Sequence, residues 1–243
     1  MTAQAPRRTA IVQSNYIPWK GYFDLMNAVD EFVLLDDVQY TRRDWRNRNR
    51  IKTPLGTPWL SIPVQTRGRY EQRIDETRIA DSRWARMHWS AIENAYRDAP
   101  HFDAVAATLA PLYTELQSTD LLTDVNLAFL RTLRDMLGID TPILRSTDFA
   151  TAGGRDRRLL DICLGTGATE YVSGPLARDY LDVDLFERAG VDVEWFDYAG
   201  YPQYAQLHGE FEHHVSVVDL LFCEGDDSGR FLKTTAAEPA EAR

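Results

Sequence analysis

The stretch Thr9 to Leu35, TAIVQSNYIPWKGYFDLMNAVDEFVLL, decides the fold class. It opens on a short apolar run, Thr9 to Gln13 (TAIVQ), and closes on another, Glu31 to Leu35 (EFVLL). Each has the length and composition of a buried strand. Between them Tyr22 to Val29 (YFDLMNAV) has helical spacing, and Pro18 and Gly21 shape the turn leading into it. Strand, turn, helix and strand in under 30 residues form a βαβ unit, which predicts a parallel sheet.

Working outward, the alternation continues. Trp59 to Val64 (WLSIPV) reads as a strand whose Pro63 marks an edge or an irregular end. Ser82 to Arg97 opens on a capping serine and carries Trp84, His88, Ala91, Ile92 and Ala95 on one face, so it predicts a helix. A second helix, Leu121 to Leu137, is stopped by Gly138. Strand Pro142 to Leu144, helix Arg157 to Leu164, strand Glu170 to Val172, a short helix Leu185 to Ala189 and strand Val191 to Phe196 follow. SVVDLLF, near the end, reads as a capped core helix with a structural Asp219. The expectation is one α/β domain over residues 9–230, with a mainly parallel, Rossmann-like sheet flanked by helices. Met1 to Arg8 and Thr234 to Arg243 have the composition of disordered ends.

This topology has a functional corollary, because ligands of open parallel sheets bind beyond the carboxyl ends of the strands. Five predicted strands finish in polar residues: Gln13, Ser14 and Asn15; Asp36 and Asp37; Arg145, Ser146 and Thr147; Ser173 and Gly174; Asp197 and Tyr198. Gathered on one edge, they would line a pocket.

Composition narrows the chemistry. The net charge of -10 argues against a nucleic-acid partner, which needs a broad basic surface. No apolar run reaches membrane-spanning length and the N-terminus has no signal-peptide core, so the expectation is a cytoplasmic protein with no membrane partner. Two cysteines, Cys163 and Cys223, are too few for a disulfide framework or a zinc site. The adjacent pair His213 and His214 cannot face one way, and no metal site is expected. No Gly-x-Ser-x-Gly elbow or cysteine nucleophile signature occurs.

The basic residues are concentrated. Arg42, Arg43, Arg46, Arg48, Arg50 and Lys52 are six cations in eleven positions, interrupted by Asp44, Trp45, Asn47 and Asn49. Arginine forks grip phosphate and carboxylate oxygens in pairs and asparagines add neutral donors, so the segment predicts binding of a phosphate, a phosphopantetheine arm or an acidic partner. A solvated charged loop paired with the chain's own acids is the plainer alternative.

Read in order, NYIPWKGYF, LLDDVQY, WRNRNRIKT, WLSIPV, HWSAIENAYRDAPHF, GATEYVSG, FDYAGYPQYAQ and VSVVDLLFCEG resemble the WbqC-like family from about Ile11 to Gly225. The resemblance implies a transferase-like role on activated small molecules, in surface-polysaccharide or natural-product biosynthesis. The family commonly has His-Gln-Pro where this chain has Val12, Gln13 and Ser14, so any role of that histidine cannot be carried over.

Without a nucleophile or metal signature, the simplest reaction is direct transfer between two bound substrates. The form expected here is amide formation, in which an amine such as an amino sugar attacks an acyl or aminoacyl thioester. No covalently bound cofactor is expected; coenzyme A or phosphopantetheine on an acyl or peptidyl carrier protein would be a co-substrate. Asp37 or His88 would be the general base and Asn47 an oxyanion donor. Substrate contacts are assigned to Gln13, Asn15, Tyr16, Trp19, Tyr22, Asp36, Gln39, Tyr40, Arg46, Arg48, Asn49, Arg50, Ser173, Gly174 and Tyr204. Asp36 and Asp37 point to opposite sides of a strand, so only one faces the pocket. Nucleotidyl transfer is the runner-up, weakened by the missing His-x-Gly-His turn. A non-catalytic nucleotide-sugar or carrier-binding module is the third reading.

Overall fold

A computed structural model describes residues 5–234. In chain order the elements are β1 (Arg8–Val12), α1 (Lys20–Asn27), β2 (Glu31–Leu34), β3 (Arg48–Arg50), β4 (Trp59–Ser61), α2 (Trp84–Tyr96), α3 (Phe102–Leu116), α4 (Leu122–Met136), β5 (Ile143–Arg145), α5 (Arg155–Thr166), β6 (Glu170–Ser173), α6 (Val183–Glu187), β7 (Asp192–Trp195) and α7 (Val217–Glu224).

The main sheet has five strands in the order β5-β2-β1-β6-β7, all parallel. Counting only its own strands, that is the doubly wound order 3-2-1-4-5. Alternation along the strands sorts side chains to two faces. Ala10, Phe32, Leu34 and Val172 join the core under α1, α2, α3, α4 and α7. Ile11, Val33 and Tyr171 join a second core under α5 and α6. The chain leaves β1 for β2 with α1 on one face and returns across the sheet to β6 with α5 on the other. A constant hand of crossover demands that change of face when the direction reverses. Gly167, at φ 72°, closes α5 in the left-handed conformation that lets the chain drop directly into β6.

The structure departs from the expectations in three places. WLSIPV does not join the main sheet: Trp59–Ser61 pairs antiparallel with Arg48–Arg50, and the strand stops before Pro63. The middle of the Arg-rich segment is therefore a strand, hidden in the sequence because RNR is polar at every position. Helix α3 was not foreseen; its Pro111 lies inside the helix. Arg8 is not frayed but opens β1, and the carbonyl of Arg7 accepts from Thr169 and Glu170 N–H. Thr234 is tied down too, its N–H and hydroxyl both donating to Asp24. The remainder of the two expected disordered ends lies outside the described residues.

Candidate functional site

The direction of winding reverses between β1 and β6, and a cavity of about 590 Å³ opens there at the carboxyl edge. Gln13 lines it from the end of β1 and Ser173 and Gly174 from the end of β6. Its floor is apolar, with Ile11, Leu25, Leu35 and Leu159. Arg46, Arg155 and Tyr198 supply the polar wall.

Arg46 is the most constrained of these groups. Its side chain is 13% exposed, Nη1 donates to Asn15 Oδ1, and Asp44 lies 3.5 Å from Nη2. Nε is buried without a partner. Burial pulls the guanidinium pKa down, and Asp44, Tyr22 and Asp36 pull it back. A desolvated guanidinium at a cavity wall, paired with a carboxylate 3.5 Å away, gains from a further anion. Arg155, the first residue of α5, stacks on Tyr180 at 4.2 Å and donates to the Tyr180 carbonyl.

Two further spaces follow in a row from the cavity. One of about 390 Å³ is walled by Trp19, Tyr198, Tyr201, His213 and His214. One of about 220 Å³ is walled by Asn15, Pro18, Trp19, Trp45, Asn49 and His214. Tyr198 is common to the first two spaces, and Trp19 with His214 to the last two. Trp19 packs at ring distances of 5.6 Å from Tyr198, 5.5 Å from Tyr201 and 6.0 Å from His214. Gly21 makes that pose possible, because a Cβ there would lie 2.3 Å from the indole. Burial, with Lys20 and His214 adding to it, lowers the pKa of His213.

The loop from β1 to α1, which carries Asn15 and Trp19, is held from behind. Ser14 N–H donates to Asp36 at 2.9 Å and Thr123 donates to the other carboxylate oxygen at 2.5 Å. Asn126 donates to the Ser14 hydroxyl and the Arg46 carbonyl, both at 2.9 Å. Asn49 donates to the carbonyls of Tyr16 and Ile17. Ile17 sits at φ 36°, a conformation that a β-branched residue adopts only when its surroundings impose it.

These contacts revise the sequence-based site. Gln13, Arg46, Ser173 and Gly174 come together in the large cavity, and Asn15, Trp19 and Asn49 in the smallest space. His88 does not join them. It is buried, with Nδ1 2.9 Å from the Tyr16 hydroxyl, and desolvation lowers its pKa to about 4. Tyr16 is fully buried and also bonded to Tyr113 at 2.7 Å. Asn47 lines none of these spaces: it is held in the interior, its Oδ1 accepting from Tyr40 and its Nδ2 donating to the Ile62 carbonyl. Asp37 faces the end of β5, accepting from Ser146 at 2.6 Å with Arg158 at 3.5 Å. Asp36 braces Ser14, and burial raises its pKa. Tyr22 stands behind the wall, donating to the Gln13 carbonyl at 3.2 Å. Gln39 and Tyr40 line a separate space of about 300 Å³. Arg48 and Arg50 lie outside, over the ring of Trp59. Tyr204 donates to the buried Asp219, which Tyr96 and Gln206 also bond.

Tyr198 lines the cavity as its place after the last strand led one to expect, whereas Arg155, Trp45 and His214 were missing from that site. Arg155 had a signal, since it follows a Gly-Gly pair opening the helix after β5. Trp45 and His214 are brought in by tertiary contacts alone.

Fold and site define a doubly wound α/β protein with a cavity at its switch point and a second, aromatic chamber beside it. The chain belongs to the WbqC-like protein family, whose profile matches residues 13–231. It is similar to the uncharacterized protein Rv1507c of Mycobacterium tuberculosis, with 50% identity over 227 residues, covering 93% of this chain and 98% of that one. No solved structure matches the chain. Among the described residues no helix is long and apolar enough to cross a membrane.

Proposed function

We propose that this protein is a transferase that joins two substrates held in adjoining spaces, moving an acyl or aminoacyl group from a phosphopantetheine-type thioester to an amine. The observation that carries the reading is the pairing of a cavity holding a buried, incompletely bonded guanidinium with an aromatic chamber sharing its wall. Arg46 and Arg155 suit the phosphates of the donor. The rings of Trp19, Tyr198 and Tyr201 suit the apolar face of a sugar-like acceptor.

In this reaction the amine nitrogen attacks the thioester carbonyl and the C–N bond forms. His214, which faces both smaller spaces, takes the amine's proton. Asn15, whose Oδ1 is held by Arg46, directs Nδ2 at the developing oxyanion. The C–S bond then breaks and the departing thiolate takes up the proton. His214 and Asn15 thus replace His88, Asp37 and Asn47 in the roles the sequence suggested.

The test is a matrix of acetyl-, glycyl- and longer acyl-coenzyme A thioesters against amines including amino sugars, followed by free-thiol release and the mass of the amide. Coupled thiol and amide formation, lost in His214→Gln, is the expected result. Nucleotidyl transfer is the second reading, favoured by the strand order, which places mononucleotides at this switch point in other folds. Magnesium-dependent pyrophosphate release with no thiol release would establish it instead. Ligand binding without turnover of either kind would make the protein a binding module.

A further inference from the structure

Between Arg42 and Arg69 the chain carries eight cationic side chains and one acid, Asp44, although the whole chain has a charge of -10. Asp44 is engaged by Arg46. Among the described residues Arg42, Arg43, Arg48, Arg50, Arg67 and Arg69 have no ion-pair partner, whereas most other arginines do. The chain has acids in excess, so leaving these cations unpaired is not a shortage of partners.

The β3–β4 hairpin arranges two of them, Arg48 and Arg50, while Arg42 and Arg69 line the space beside Gln39 and Tyr40. The hairpin register sets Arg48 opposite Ser61 and Arg50 opposite Trp59, on one face, while Asn49 turns inward and is 2% exposed. Arg48 lies 4.1 Å and Arg50 5.3 Å from the centre of the Trp59 ring, and Trp45 packs against that ring at 5.1 Å. Trp45 and Trp59 remain 38% and 41% exposed, and Leu55 at the hairpin turn is 100% exposed. Large apolar side chains beside unpaired cations on an outer face are the composition of a docking surface.

We propose that this outer hairpin face docks an acidic, leucine-bearing helix of a partner protein. Charge complementarity sets the sign of the partner, and Leu55, Trp45 and Trp59 require it to bring apolar side chains as well. A single-stranded nucleic acid fits less well: stacking a base needs an open ring face, and Arg48, Arg50 and Trp45 already crowd Trp59. The place matters too. Trp45 lines the smallest space and Arg46 the large cavity, so a partner on the hairpin sits at the rim of both. The inference goes beyond the transfer reading, and its test contains no turnover, so the two fail separately.

The intact protein, labelled at its indole nitrogens, is titrated with a helical peptide carrying glutamate and leucine along one face. A scrambled peptide of the same composition, oligothymidylate and oligouridylate serve as comparisons. Saturable shifts of the Trp45 and Trp59 signals are expected with the helical peptide, weakened by salt. Affinity should fall about tenfold or more in the double variant Arg48→Glu, Arg50→Glu, and also in Leu55→Asp, whose fully exposed site keeps the fold intact. Unshifted Trp45 and Trp59 signals, equal binding of the scrambled peptide, or unchanged affinity in Leu55→Asp would overturn the proposal. Tighter binding of either oligonucleotide would replace the protein partner with a nucleic acid.

Discussion

The two edges of the parallel sheet use arginine in opposite ways. At the amino edge Arg8 sits between two carboxylates, in contact with Glu194 and 3.5 Å from Glu170, and donates to the Ala28 carbonyl at 2.7 Å. Arg7 is paired there with Glu31. At the carboxyl edge Arg46 and Arg155 line a cavity that no carboxylate lines among the described residues. The same side chain ties strands to carboxylates at one edge. At the other, Arg46 and Arg155, each paired with a neighbouring carboxylate (Asp44 and Asp156), line a cavity that has none among the described residues. The difference separates an arginine that holds strands together from one that faces a cavity.

The largest effect expected from this contrast is on ligand binding. Arg46→Met should weaken coenzyme A by about one to two powers of ten, since a hydrogen bond to a charged group contributes about 1.5–3 kcal/mol. Arg46→Lys should recover only part of the loss, because a point charge does not replace a fork. Calorimetric titration measures both, and unchanged affinity in Arg46→Met would erase the distinction between the edges.

An intermediate effect sharpens the boundary between the cavity-lining loop and the packing behind it. His88→Gln disturbs the contact with Tyr16 and should cost about 1–3 kcal/mol of stability. Its pH signature has a definite sign. The unfolded chain protonates this imidazole near pH 6.5, the folded chain only at about 4. Stability is therefore present above pH 6.5 and lost as pH falls towards 4. Urea unfolding at pH 7 and pH 5 should show that His88→Gln removes part of this loss; an unaltered pH dependence would place the histidine elsewhere in the balance.

The smallest effect belongs to the amino edge. Glu194→Gln should change stability by less than about 1 kcal/mol, as expected for a partly exposed ion pair, and leave coenzyme A affinity untouched. A loss of affinity in that variant would show that the edges are coupled.

The sheet was legible because its code is local. TAIVQ, EFVLL and the three later strands are short apolar runs separated by helical periods, and all five lie in the parallel sheet. The polar strand ends pointed to the carboxyl edge for the same reason. Individual side chains were less legible. The six cations from Arg42 to Lys52 look alike in sequence, yet only Arg46 reaches the large cavity, because β3 sends Arg48 and Arg50 outward. His88 follows a helical face that is simply interior. Asp36 and Asp37 were expected to diverge along a continuing strand, but β2 ends at Leu34, both line one small space, and both are taken by partners, one by Ser14 and Thr123, the other by Ser146. His214 and Trp45, distant in sequence, meet Trp19 only once the chain is folded.

The seat of Trp19 on Gly21 carries a consequence for how such a sequence can drift. A methyl group at Gly21 evicts the indole, and an indole lost leaves the glycine as a bare weak point in the first turn of its helix. Neither residue can change first without harm, so the two are inherited as one unit. Lineages retaining this chamber should keep the pair together, and those abandoning it should be free to lose both.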